Sequence, residues 1–175
     1  SKQHIASFMS TSMGTIILRK ILTGVEGLKY SCSQGKNALN IETSKIVFLD
    51  LSSARGMTLI NTSWCSELKR LDMTNCISCT SITSTDCANL TSAVLNAKKI
   101  EGIYFSRCAK LDTLSFTGGN ADNLQTVGIS GTALAAETII NLESIWTSRV
   151  GKTAGTLSMS KTLYDTLGED LLLKF

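Results

Sequence analysis

Apolar residues recur along this chain at intervals that are neither helical nor simply alternating. In SELKRLDMTNC, Leu68, Leu71, Met73 and Cys76 stand at relative positions 0, +3, +5 and +8. Leu90, Ala93 and Leu95 take the first three places 22 residues on, and Leu111, Leu114 and Phe116 follow after 21 more. Moving back 22 from Leu68 gives Ile46, Leu49 and Leu51, and a further 21 gives Val25, Leu28 and Tyr30. A second series with the same offsets lies halfway between. It holds Ile100, Ile103, Phe105 and Cys108, then Leu124, Val127 and Ile129. Met57, Ile60 and Cys65 fit it with Thr62 between, and Cys79, Ile82 and Cys87 with Ser84 between. Its earliest member keeps Leu39 and Ile41 but has Lys36 at the anchor.

A fixed period of this length is the mark of a repeat architecture. Residues at +3 and +5 are two apart, so they leave a strand on the same side. The anchor and the small residue at +8 turn inward at the bends. The pattern predicts a mostly β repeat solenoid with coils of about 22 residues, each made of two half-turns of about 11. Each coil gives one strand to each of two parallel sheets. A single unit has too few apolar contacts to offset the entropy of ordering it, whereas stacked units share faces and ladder hydrogen bonds.

The repeats run over residues 25–134. Residues 1–24 read as an N-terminal cap or degenerate repeat, in which HIASFMSTSM suggests a short helix and GTIILRKI a strand. Residues 135–175 read as a short α/β cap of helix, strand and helix. Ile139, Leu142 and Trp146, with Ile145 alongside, share one face of a helix expected from Ala136 to Arg149. A turn over Gly151–Gly155 leads to a strand at Thr156–Met159. Ser160 reads as the N-cap of a helix over Lys161–Leu167, with Leu163, Tyr164 and Leu167 inward and Leu171–Leu173 continuing the packing.

Composition agrees with the period. Hydrophobic residues form 43% of the 175, enough for a sizeable core. Charged residues form 18%, below the usual value of about 25%, so Ser, Thr and Asn must supply much of the surface. Proline is absent, as suits a chain committed to ladders in which proline cannot donate. The net charge of +3 comes from scattered Lys and Arg rather than a basic stripe, which speaks against nucleic acid. No apolar run reaches the roughly 18 residues of a membrane span; Arg19 and Lys20 break the nearest. The chain opens at Ser1 without a signal peptide and so reads as processed or truncated.

Chemistry-bearing residues are few. Cys65, Cys87 and Cys108 share the +8 place of the second series and should stack along one corner, with Cys76 at the matching place of the first. Small buried thiols account for them without disulfides. Cys76 and Cys79 form a CxxC, but no second pair follows and the one histidine, His4, is remote. Gly151-Lys152-Thr153 resembles the end of a phosphate loop, yet its upstream glycine place holds Trp146. No catalytic constellation emerges, so the chain is expected to be non-enzymatic, without cofactor or metal.

The outward places, +1, +2 and +4, are where a partner would touch. On the first sheet they include Phe48, Asp50, Lys69, Arg70 and Asp72; on the second they include Tyr104. These six are the candidate binding residues, the aromatics foremost because aromatic anchors dominate recognition faces. A protein partner is the first expectation. A glycan stacked on Tyr104, Phe48 or Trp64 is the alternative, and a structural spacer within a larger surface protein is another.

FSRCAKLDTLSF, residues 105–116, resembles the F-x-x-C-x-x-L-x-x-L-x-F/L junction of BspA-like, or Bacteroides-type, bacterial leucine-rich repeats. CSELKRLDMTNC and CANLTSAVL carry the cysteine-to-leucine part of it. The resemblance covers residues 25–134 and departs from the family in lacking the proline that often follows the strand. The cysteine-containing repeats of F-box proteins share part of the motif but run longer, with a helix in place of the second strand. The bacterial resemblance implies a right-handed β/α-type superhelix, a monomer, and adhesion or protein binding at the cell surface or outside the cell.

Overall fold

The protein is described here by a computed structural model covering residues 5–10, 14–17, 27–32, 37–41, 45–149 and 155–167. The chain first lays down β1 (Ile5–Ser10), β2 (Gly14–Ile17), β3 (Gly27–Cys32) and β4 (Asn37–Asn40). Next come β5 (Phe48–Ala54), β6 (Met57–Asn61), β7 (Arg70–Asp72) and β8 (Ser81–Thr83). Then follow β9 (Ser92–Asn96), β10 (Gly102–Tyr104), β11 (Thr113–Thr117) and β12 (Thr126–Gly128). Helix α1 (Ala136–Thr147), strand β13 (Thr156–Ser158) and helix α2 (Lys161–Leu167) complete the described elements.

From β1 to β12, odd and even strands part company. One sheet has the order β1-β3-β5-β7-β9-β11, and the other β13-β12-β10-β8-β6-β4-β2. All pairings are parallel, as in Leu49 with Leu71 and Leu71 with Ala93 on the first sheet. On the second, Ile60 pairs with Ile82 and Ile82 with Ile103. The result is a mostly β parallel solenoid with few helices. A parallel pair needs a long crossover, and up to β12 the crossover of each sheet is a strand of the other; between β12 and β13 it contains α1.

The core lies between the sheets and holds the residues that the period marks. Leu49, Leu71, Ala93 and Leu114 face Ile60, Ile82, Ile103 and Val127, all buried. The anchors Ile46, Leu68, Leu90 and Leu111 are buried as well. The polar exceptions, Thr62 and Ser84, are buried and hydrogen-bond to each other through their hydroxyls, which removes the cost of leaving either unpaired.

The corners between strands repeat a small device. Cys65 N–H donates to the Thr62 carbonyl at 3.2 Å, and Leu68 N–H to the Cys65 carbonyl at 3.1 Å. Two successive tight turns therefore meet at the cysteine and point its side chain inward. Its thiol then reaches back one coil: Cys65 Sγ donates to the Ile41 carbonyl, Cys87 to Thr62 and Cys108 to Ser84, at 2.9, 3.0 and 2.8 Å. Cys76 does the same to Leu51 on the other corner. All six cysteines are buried and free, so no disulfide is formed.

At the C-terminal end the first sheet stops at β11 and α1 packs against it through Ile139, Leu142 and Trp146. Thr138 Oγ1 donates to the Asp112 carbonyl at 2.7 Å and Ala135 N–H to the same oxygen at 2.9 Å, fixing the start of α1 on the last coil. The second sheet gains β13 instead. Ser160 Oγ accepts from the Leu163 N–H at 3.2 Å and so caps α2, as the sequence predicts. No helix among the described residues is long and apolar enough to cross a membrane.

Two expectations are corrected. Residues 5–10 within HIASFMSTSM form a strand, not a helix: they pair with β3 in register, Ala6 beside Leu28 and Phe8 beside Tyr30. An available strand edge supplies hydrogen-bond partners that a short isolated helix lacks. Tyr164 is exposed rather than inward, while Leu163 alone of that turn is buried; seven residues of α2 offer a narrow apolar stripe. The expectations for Val25, Lys36, the Gly151–Gly155 turn and Leu171–Leu173 fall wholly or largely outside the described residues.

Leu71, in the middle of the stack, should carry a large share of the stability. Leu71→Ala is expected to destabilise by about 2–5 kcal/mol through lost burial and an unfilled cavity. Urea unfolding checks this, and an unchanged midpoint would contradict the packing. Burial should also silence the thiols. Cys79 is pushed up to about 12 by burial, and Cys108 upward by the Cys87 thiol beside it and by burial. A chromogenic disulfide reagent at neutral pH is expected to modify no cysteine in the native protein and all six after unfolding. Rapid reaction before unfolding would show that the thiols are not enclosed.

Candidate functional site

Parallel pairing turns each outward place into a column running across the strands. On the first sheet Phe48 lies beside Arg70 and Asp50 beside Asp72, each pair on adjacent strands β5 and β7. Four of the six candidate residues are thereby brought together. With Leu49, Leu71, Ser92 and Val94 they line a shallow depression of about 290 Å³. Lys69 is exposed at the entry to β7 and does not line it. Tyr104 stands on β10, in the other sheet, and belongs to a different surface.

The depression has a structured rim. The Arg70 guanidinium carbon lies 5.9 Å from the centroid of the Phe48 ring, a cation–π contact worth about 0.5–1 kcal/mol at an exposed site. The Phe48 ring itself lies across Gly27 of β3: a Cβ built there would sit 2.0 Å from Phe48 Cζ. Glycine at that place lets the ring lie down on the sheet, which is why Phe48 is half-buried rather than projecting. The period gives no hint of this, because Gly27 falls on an outward place where any polar residue would satisfy the pattern.

Both carboxylates are held in place by the residue two positions on in the chain. Asp50 Oδ1 accepts from the Ser52 N–H at 2.9 Å and from the Ser52 hydroxyl. Asp72 Oδ1 accepts from the Thr74 N–H at 3.0 Å and from the Thr74 hydroxyl. Burial alone would raise the Asp50 carboxyl, but the Ser52 hydroxyl, the Ser52 amide and the Lys29 ammonium outweigh it and hold the group below its ordinary 3.8. The depression therefore presents the fixed side chains of Asp50 and Asp72 together with one guanidinium and one aromatic ring. Nothing in it is arranged as a nucleophile with a base. Among the described residues no group of three or more His, Cys, Asp or Glu is placed to hold a metal ion. Cys76 and Cys79, the CxxC pair, are both buried; burial raises the Cys76 thiol, with the neighbouring Cys79, Cys32 and Asp72 adding to the rise.

A second feature lies on the corners that follow β6, β8, β10 and β12. Trp64, Asp86, Arg107 and Gly131 occupy the same place in successive coils and all have positive φ, at 64°, 59°, 61° and 75°. Their amides are drawn onto the next coil, Trp64 N–H to the Thr85 carbonyl and Asp86 N–H to Ser106, at 3.0 and 3.1 Å. Arg107 Nε and Nη2 grip both oxygens of Asp86 at 2.7 and 2.6 Å, and that hydrogen-bonded pair lowers the Asp86 carboxyl. Trp64 is 59% exposed on this ridge.

Comparison with family models, curated proteins and solved structures finds no match for this chain.

The Asp50 interactions have a pH signature. A carboxyl held below its unfolded value adds stability that is complete above about 3.8 and is lost as pH falls through the lowered folded value. Wild type should therefore exceed Asp50→Asn in stability at neutral pH, and the gap should close on acidification below pH 3.8. Parallel denaturation series at several pH values test it; a gap that widens in acid has the wrong sign for this account.

Proposed function

We propose that this chain is a non-enzymatic binding scaffold of the leucine-rich-repeat kind, resembling the BspA-like repeats of bacterial surface proteins. In this reading its coils of about 22 residues form a right-handed superhelix, and it holds a protein partner at the cell surface or outside the cell. The scaffold acts as a monomer. The observation that carries the reading is the convergence of Phe48, Arg70, Asp50 and Asp72 around one depression on the first sheet. An aromatic ring and an arginine are the groups that most often anchor protein partners, and the fixed carboxylates beside them add charge complementarity that selects the partner. Their positions are set by a sheet rather than a loop, so little ordering entropy is lost when a partner docks. Lys69 adds a further positive charge beside the rim.

Phage-displayed random peptides selected on the immobilised protein provide a defined probe. Peptides enriched on wild type are expected to lose at least about tenfold in affinity on Arg70→Ala and on Phe48→Ala, as truncated hot-spot residues do. Tyr104→Ala, on the other sheet, should leave them unaffected. Enriched peptides indifferent to both first-sheet substitutions would remove the depression as the docking site.

A further inference from the structure

The outer face of the second sheet has a chemistry unlike that of the first. The column through β6, β8, β10 and β12 reads Asn61, Thr83, Tyr104 and Gly128, and the column beside it Leu59, Ser81, Gly102 and Thr126. No side chain in either is charged, whereas the corresponding columns of the first sheet carry Lys29, Asp50, Arg70 and Asp72. Leu59, Asn61, Ser81 and Thr83 border a shallow depression of about 270 Å³, and the register continues from Thr83 directly to Tyr104. The Tyr104 ring lies back over its own strand: a Cβ on Gly102 would sit 2.7 Å from Tyr104 Cε2 and 2.9 Å from its hydroxyl. Gly128 on the next strand puts no side chain beside the ring, where a built Cβ would lie 3.7 Å from Tyr104 Cδ1, and the ring stays only half-buried. One ring face thus rests on glycine backbone and the other is presented outward.

From this placement we infer that the outer face of the second sheet binds a neutral polysaccharide, with Tyr104 as the stacking platform and Ser81 and Thr83 as hydrogen-bond partners. A sugar ring offers an apolar face of C–H groups and a rim of hydroxyls. The apolar face suits a flat aromatic ring, and the rim suits side chains that both donate and accept. Ser81 and Thr83 have no side-chain hydrogen bond within the described residues, so their hydroxyls are available. Neighbouring strands lie about 4.7–4.9 Å apart, close to the length of one sugar residue. A chain running across the strands therefore meets the Asn61 amide, the Thr83 hydroxyl and the Tyr104 ring at successive steps. The absence of charge in these columns selects against acidic polymers, which would find no cation there. This site is independent of the first-sheet depression, and neither depends on the other's occupancy.

Affinity electrophoresis of the whole chain tests it, using gels cast with soluble β-glucan, xylan or galactomannan, and with polygalacturonate as the acidic control. At least one neutral polymer is expected to retard the protein. Tyr104→Ala should weaken that association at least about tenfold, and Tyr104→Phe, which keeps the ring, by no more than about threefold. Ser81→Glu, which leaves the ring and crowds the track beside it, should also lose about tenfold, while Phe48→Ala should lose nothing. Circular dichroism establishes that each variant is folded. No retardation by any neutral polymer, equal retardation by polygalacturonate, or full binding by folded Tyr104→Ala would overturn the inference.

Discussion

The hydrogen-bond ladder between successive coils is the constraint on which the rest of this molecule depends. Buried peptide groups must be paired, and no strand finds its ladder partner within its own coil: every strand takes its partners from neighbouring coils. The chain must therefore return to the same place at each turn. That requirement fixes the period, and the period fixes which side chains face the core. It also explains why thiols suit the corners. A corner carbonyl such as that of Thr62 already accepts the Cys65 amide of its own coil, and the Cys87 thiol of the next coil adds a second donor. A small side chain with a weak donor can do this in a space where a larger residue would push the coils apart.

The same constraint organises the surface. Because coils stack in register, one residue type repeated at one place becomes a column, and a column can act as a surface where an isolated residue cannot. The two sheets use this differently. Asp50 and Asp72 stand side by side on the first sheet and would repel, but each is anchored two residues on along the chain, by Ser52 or Thr74. Arg70 lies on the neighbouring column to offset them. The second sheet keeps its columns neutral. On both, a glycine decides how an aromatic lies: Gly27 beneath Phe48 and Gly102 beneath Tyr104 convert projecting rings into flat ones.

Much of this was legible from offsets alone, and the failures have physical causes. Leu49, Leu71, Ile82 and Ile103 are buried as the period requires, and the pairing of Phe48 with Arg70 follows from their equal places in adjacent repeats. Helix α1 announces itself by a change of period at Ile139, Leu142 and Trp146. Strand β1 was obscured because Ala6 fills a place that holds leucine in most other coils; its pairing with β3 is a long-range interaction that local composition cannot report. The split of the candidate residues between two surfaces was readable, since Tyr104 belongs to the half-period series. How the rings lie was not, because glycine acts there by what it lacks.

The positive-φ corner shows how far the stacking energy reaches. A left-handed conformation costs a non-glycine residue about 1–2 kcal/mol, and Gly131 shows that the corner accepts glycine. Trp64, Asp86 and Arg107 adopt it nonetheless. Their amides donate to the next coil's carbonyls, so the ladder that builds the sheets continues through the corners and pins them in place. Asp86 and Arg107 recover part of the cost through their bidentate pair. Trp64 has no such pairing and is the largest exposed side chain on the ridge. Strain of this kind persists where surrounding structure over-determines it. The ridge therefore owes its shape to the coils beneath it, which leaves the side chains at its crest free to vary in chemistry while their positions stay fixed.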